Sequence, residues 1–434
     1  MSAQAIGLAG MGVLLALILL RVPVAIAMGT VGFLGYAAVG GFPAALVVLG
    51  TTPYDVASSY ALSVVPLFVL MGELAAESGM SSRLFRAAKS AFAGTRGSLA
   101  YATIGACAAF GAVSGSSVAS AATMSRICIP EMRRYGYDDR LSTGTVASGG
   151  SLGILIPPSL IFVIYGLIAQ QSVPRLFAAG LFPGLVLSAL YMLVVYAVLR
   201  VRPAWAPVPQ PLAFAARVAE LRHVWEFLSL FTLVVGGIYG GWFSPTEAAA
   251  IGVLGALGIG LVTRTLDFAA VRRALDETVR TTCMLFVIVI CASVFSFFVV
   301  QTHLPETVLG FLRQAQLGPR GVFLAIVVFY ILLGCVLEGL GMILITVPVF
   351  LPVMTANGFD PVWFGVIVVI VVELGLIHPP MGMNLFVIQA QHREIPIARL
   401  YVGTLPFVVA PMLLIAALLT FPQVALWLPG VLYR

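Results

Sequence analysis

Charge is what this sequence has least of: only 9% of its 434 residues are Asp, Glu, Lys or Arg, against 61% hydrophobic. Soluble domains carry about 25% charged residues, so a water-soluble globular fold is excluded. Apolar runs recur along the whole length, and each membrane crossing takes about 20 such residues. The chain therefore reads as an all-α polytopic membrane protein. Cysteine is also sparse. Cys107, Cys128, Cys283, Cys291 and Cys335 lie in or beside apolar segments and form no CxxC pair. That pattern excludes a disulfide framework or a metal motif and leaves packing. No basic stretch precedes the first apolar run, so the N-terminus reads as a first membrane helix and not as a cleaved signal. The net charge of +6 reads as loop topology and not as a nucleic-acid patch.

The interruptions in the apolar runs divide the chain. Residues 1–96 form N-terminal scaffold helices. Residues 97–199 form a first transport repeat, with a hairpin at 97–125 and a broken helix at 141–170. The stretch 200–222 holds four prolines and several charges and reads as a connector. Residues 223–320 give a second scaffold, including an amphipathic arm, "LDFAAVRRALDETVR", expected to lie along the membrane surface. Residues 321–391 form a second transport repeat, with a hairpin at 321–353 and a broken helix at 362–391, and 392–434 supply a C-terminal helix.

The two halves resemble each other at a shift of 222 residues, where "LGILIPP" from Leu152 matches "LGLIHPP" from Leu374. Ile129-Pro130-Glu131-Met132 matches Leu351-Pro352-Val353-Met354 at the same shift. Helix-breaking motifs in corresponding places mark a secondary transporter. Charge bears on orientation. Arg83, Arg86, Lys89 and Arg96 precede the first hairpin, and Arg126, Arg133, Arg134 and Arg140 follow it. Both flanks are then cytoplasmic, and the segment enters and returns. The second hairpin has a weaker basic bias. An inverted structural repeat with two re-entrant hairpins and two broken helices is expected.

The chemistry lies in "FGAVSGSSVASAATMS" and "GGSLGILIPPSLIF". In hydrocarbon every backbone polar group needs a partner, so broken backbone is tolerated only inside protein or around a water-filled cavity. Carbonyls and serine hydroxyls suit a small alkali cation, and half-helix N-termini suit a carboxylate. Ser114, Gly115, Ser116 and Ser117 would form one hairpin tip, facing the break from Gly153 through Pro157 to Ser159. In the second half the tip holds Glu338, Gly339 and Gly341, and the break runs from Gly375 to Asn384. For a single Ser or Gly, close helix packing is the better reading; the recurrence favours an ion site. Substrate contacts are expected at Ser159, His378, Gly382 and Asn384.

Ionisable groups in apolar runs cost about 2.5–3.5 kcal/mol on insertion scales. Glu73 reads as snorkelling or capping, and Glu247, after Ser244-Pro245, as a helix cap. Glu373 is a further candidate. Glu338 stays open between function and structural pairing. His378 stays open between ligation, a substrate hydrogen bond and a freed carbonyl.

The pieces "PLFVLMGELA", "FGAVSGSSVASAATM", "IPEMRRYGYDDRLSTGTVASGGSLGILIPPS", "SPTEAAA" and "ELGLIHPPMGMNLF" span about residues 66–390. Their order and spacing resemble the large membrane subunit of tripartite ATP-independent periplasmic (TRAP) transporters. The resemblance implies a non-enzymatic, multi-pass subunit of the bacterial inner membrane. It would import a small organic acid by sodium symport, through elevator-type alternating access. It also implies a four-helix small membrane subunit, expected as a separate chain here, and a periplasmic binding protein. No cofactor is implied beyond sodium ions. The family's first sodium site would fall on Ser114, Ser116 and the backbone near Gly153 and Pro157. A second would fall around Glu338, Gly339, Thr346, Gly375 and Pro379. This chain has His378 where the family break usually reads Thr, and Glu338 where the tip often carries Asp.

Two other classes stand against this reading. A channel calls for a continuous pore with selectivity rings, which paired breaks do not provide. An intramembrane hydrolase would pair Ser114 or Ser116 with His378, but the serine stretch is not GxSxG.

Overall fold

The computed structural model describes residues 2–208, 217, 220–334, 337–379 and 382–433, without the side chains of His223 and Arg313. Cys335, Pro380 and part of the connector lie outside the described residues. Every long regular element among the described residues is a helix. Six of these helices are long and apolar enough to cross a membrane: Tyr60–Glu77, Val173–Val201, Pro245–Val262, Phe268–Gln301, Gly339–Ala356 and Ile397–Thr420.

Helix starts follow local capping chemistry. Asp360 Oδ1 accepts from the amides of Val362 and Trp363 at 2.8 and 3.0 Å, and Pro361 occupies the first helical position. Ser244 and Glu247 form a capping box: the Ser244 hydroxyl accepts from the Glu247 amide, and the Glu247 carboxylate from the Ser244 amide at 2.7 Å. The capping role expected of Glu247 is met. Glu247→Ala removes one half of the capping box and is expected to lower the thermal midpoint with transport unchanged.

The first hairpin comprises Ser98–Ser114 and Ser117–Arg134, so its second arm runs past residue 125 to Arg134. Polar residues such as Arg126 and Arg133 end the hydropathic signal there, but nothing in them ends a helix. The second hairpin comprises Pro319–Gly334 and Gly339–Ala356. One broken helix is Asp139–Ser151, a short turn over Leu152–Ile154, then Leu160–Ala169. The other is Pro361–Ile377 followed by Met383–Gln391.

These pieces interlock crosswise. The second arm of the first hairpin packs on Met383–Gln391, and the second arm of the second hairpin packs on Leu160–Ala169. Each broken helix also lays its first part against the short second part of the other. The Gly111 and Gly153 backbones approach so closely that a Cβ on Gly111 would stand 2.6 Å from the Gly153 Cα. Gly334 and Gly375 repeat the contact, with a Cβ on Gly375 standing 3.0 Å from the Gly334 Cα.

One expectation is corrected. The amphipathic stretch after Arg264 is no separate surface arm. It is the first half of a single helix, Phe268–Gln301, of 34 residues. No glycine or proline interrupts it, so the hydrogen-bond ladder continues into the apolar half. At 1.5 Å per residue it is about 50 Å long, well beyond a hydrocarbon core of about 30 Å. It packs along Val24–Gly40, where a Cβ on Gly32 would meet the Phe295 backbone at 2.7 Å.

Candidate functional site

Gly115 turns the first hairpin with φ +62°, a left-handed conformation that favours glycine. Ser116 then caps Ser117–Arg134, its hydroxyl accepting from the Ala119 amide at 3.3 Å. Ser114 and Ser120 hydroxyls are 2.8 Å apart. Ser120 lies in the serine-rich stretch but was not singled out by the sequence; it reaches Ser114 because six residues across a hairpin turn bring two arms together. The tip touches the first break: the Leu160 amide donates to the Gly115 carbonyl at 3.4 Å. A Cβ on Gly153 would meet the Ser116 carbonyl and Ser120 Oγ, each at 3.0 Å. The Ser159 hydroxyl donates to the Ile154 carbonyl and accepts from the Phe162 amide. Pro157–Pro158 is a cis peptide, and both residues are buried.

In the second half Glu338 caps Gly339–Ala356 by position only, with no side-chain cap bond, and is half-buried. Between the two tips lies a cavity of about 100 Å³. Gly115, Ser116 and Ser117 line it from the first hairpin, and Glu338, Gly339 and Leu340 from the second. Ile154, Leu160 and Ile161 close it from the first broken helix, with Val372, Leu376 and Met383 from the second. Four helices begin here: Ser117–Arg134, Leu160–Ala169, Gly339–Ala356 and Met383–Gln391. Each N-terminus carries a partial positive charge of about half an elementary unit. No Lys or Arg is among the lining residues. The wall can thus attract an anion by helix ends, and a cation by Glu338 and the serine oxygens.

The remaining expected residues fall around this centre. Ser114, Gly153, Pro157 and Ser159 are buried and lie outside the cavity lining. Gly341 packs on Val24, where a Cβ would meet its Cγ1 at 2.9 Å. Thr346 lies seven positions into its helix, about 10 Å from the tip, with its hydroxyl 2.6 Å from both the Met342 carbonyl and the Tyr330 hydroxyl. Gly375 lies in the last turn of its helix, ahead of the break, against Gly334. His378 and Pro379 follow that helix half-buried, outside the cavity lining. Gly382, at φ +27°, precedes Met383, and Asn384 Nδ2 donates to the Ala147 carbonyl at 3.0 Å. The apolar lining from Val372, Leu376 and Met383 gave no sequence signal, because such residues are everywhere in this chain.

Broken apolar helices meeting around a small, largely apolar cavity are a fold shared with solved membrane transporters. MtrF of Neisseria gonorrhoeae superposes with a TM-score of 0.63 at 16% identity, over 90% of this chain and 85% of that one. The YdaH transporter of Alcanivorax borkumensis superposes with a TM-score of 0.62 over 90% of both chains. The chain belongs to the family described as the tripartite ATP-independent periplasmic transporter, DctM component, whose model matches residues 11–424. It is 36% identical to the sialic acid TRAP transporter large permease protein SiaM of Vibrio cholerae, over 86% of each chain. It is 33% identical to the C4-dicarboxylate TRAP transporter large permease protein DctM of Pseudomonas aeruginosa, over 87% of this chain and 88% of that one. It is thus a multi-pass membrane permease subunit of the TRAP type.

Proposed function

We propose that this subunit imports a small organic acid by sodium symport, with the coupling ion held at the cavity between the hairpin tips. The observation that carries the reading is the convergence of four helix N-termini with Ser116, Ser117 and Glu338 on that cavity. Hydroxyl, carboxylate and backbone oxygens suit an alkali ion; helix N-termini suit a carboxylate. The relatives' names, sialic acid and C4-dicarboxylate, support a carboxylate cargo. The cavity holds an ion and little water at about 100 Å³, against about 300 Å³ or more for an organic ligand. Substrate would enter in a conformation where the tips stand apart.

The two halves are read as an inverted repeat. The crosswise packing and the paired glycine contacts support this, since each uses matching elements of both halves. Hairpins and broken helices would move together as an elevator against the scaffold helices. The setting is the bacterial inner membrane, with a small four-helix subunit and a periplasmic binding protein as partners.

Ser116→Ala, which removes a hydroxyl from the cavity wall, is expected to raise the sodium concentration for half-maximal uptake about tenfold, and Ser114→Ala, whose hydroxyl braces the tip through Ser120, by roughly threefold. The measurement is uptake into proteoliposomes with the small subunit and binding protein present. Sodium curves identical to the parent's in both variants would misplace the site.

A further inference from the structure

We propose that Glu373 is the centre of a further alkali-cation site, buried between the two broken helices and separate from the cavity at the tips. The proposal rests on the sodium-coupled reading above. Glu373 has 0% exposure, and neither carboxylate oxygen has a hydrogen-bond partner among the described residues. Ser148 Oγ and Asn384 Oδ1, on residues that also have 0% exposure, share that state.

These atoms belong to one region. Asp139–Ser151, Pro361–Ile377 and Met383–Gln391 carry them, and all three helices pack on one another. The Asn384 amide nitrogen donates to the Ala147 carbonyl at 3.0 Å, which seats this side chain on the Asp139–Ser151 helix at the residue before Ser148. One turn beyond Ser148, the Ser151 hydroxyl lies 3.3 Å from the Tyr191 hydroxyl. Tyr191 is in turn within electrostatic reach of Glu373. The shift of 222 residues that matches the two breaks makes Ser151 and Glu373 equivalent positions.

A carboxylate alone in a membrane interior is strongly unfavourable, and the buried side-chain atoms without partners on these three helices are all oxygens. Oxygens around a hard cation stand about 2.3–2.6 Å from it, and so roughly 3.5–5 Å from one another. Such oxygens gather without bonding to each other, and the buried oxygens of Glu373, Ser148 and Asn384, on helices that pack together, likewise lack partners. One carboxylate with neutral oxygens balances a single positive charge, so a monovalent ion leaves no net charge in hydrocarbon. Oxygen donors alone exclude the softer transition metals, and no group of three His, Cys, Asp or Glu side chains that could hold a metal occurs among the described residues.

The test is thermal unfolding of the purified transporter against sodium chloride, with choline chloride holding ionic strength constant. The parent, Glu373→Gln, Ser148→Ala and Ser114→Ala are compared. Glu373→Gln keeps shape and removes the charge; it is expected to raise the half-saturating sodium concentration at least tenfold. Ser148→Ala removes one oxygen and is expected to raise it several-fold. It carries the test if the Glu373 variant does not fold. Glu373→Gln titrating like the parent, or Ser148→Ala doing so where it alone folds, overturns the site. If Ser114→Ala still shifts the sodium response in that case, the coupling reading survives and this inference alone fails. A parent that gains no stability from sodium overturns both.

Discussion

Gly403→Val is expected to leave no folded, monodisperse protein after detergent extraction. Ile397–Thr420 lies against Asp139–Ser151 backbone to backbone: a Cβ on Gly403 would stand 2.1 Å from the Arg140 carbonyl oxygen. A Cβ on Gly144 would stand 2.3 Å from the Gly403 carbonyl oxygen. Backbone cannot rotate away as a flexible side chain can, so the helices must separate. Membrane helices associate through such packing, because lipid gives no hydrophobic drive between them. Forced overpacking plus lost contacts amounts to about 4 kcal/mol or more, at the extreme of single substitutions. Size-exclusion profile and thermal midpoint report the loss. Gly258→Val is the control: nothing lies within 4 Å of a Cβ there, and it should behave as the parent. A Gly403→Val protein that elutes and melts like the parent would show that Ile397–Thr420 does not seat on the first broken helix.

Arg133→Ala is expected to destabilise by about 2 kcal/mol and to cut transport at least tenfold. Arg133 stands at the end of the first hairpin away from the tip. It donates to Asp139 Oδ1 at 2.6 Å and Oδ2 at 3.2 Å, and to Glu394 Oε1 at 2.7 Å. Arg399 donates to Asp139 Oδ2 at 3.1 Å. His392 Nε2 lies 3.2 Å from the Ser125 carbonyl, and the Ser125 hydroxyl donates to Gln391 at 2.6 Å. One guanidinium thus ties the first hairpin to the start of one broken helix and to the segment after the other. Bidentate, charge-assisted bonds are the strong ones, and hydrogen bonds to charged groups contribute about 1.5–3 kcal/mol each. The Arg133 guanidinium, hydrogen-bonded to Asp139, holds that carboxyl below its usual range. Its stabilisation is therefore complete at neutral pH and is lost as pH falls through the usual carboxylate value, about 4, to the lower folded one. The stability difference between parent and Arg133→Ala should be flat near pH 7 and close in strong acid. A difference that grows as pH falls would contradict the assignment.

What the sequence makes legible depends on how local the cause is. Pro183, Pro348 and Pro406 sit inside helices, but the adjacent Pro157 and Pro158 remove two donors in succession, and Ser-Pro-x-Glu caps a helix by short-range hydrogen bonds, so the first break and the Glu247 cap can be read directly. Repetition of the motif at a fixed shift is equally visible. The continuity of Phe268–Gln301 is harder, because a change from amphipathic to apolar character looks like an element boundary while the backbone ladder ignores it. The crosswise seating of each hairpin on the opposite broken helix comes from tertiary packing and leaves no periodic trace. Thr346 and Gly375 illustrate the same limit. Both are small residues near a motif, yet one is occupied with Tyr330 and the other with the Gly334 backbone. Ser148 lies in the opposite half of the chain from Glu373 and Asn384, and only the fold packs the helices that carry these partnerless oxygens.

The most direct measurement of the ion held between the tips is binding of radioactive sodium to the purified transporter, parent against Ser116→Ala. Saturable binding is expected in the parent, displaced by unlabelled sodium but not by potassium, and clearly weaker in the variant. Absent saturable binding, or equal binding in both proteins, would contradict it.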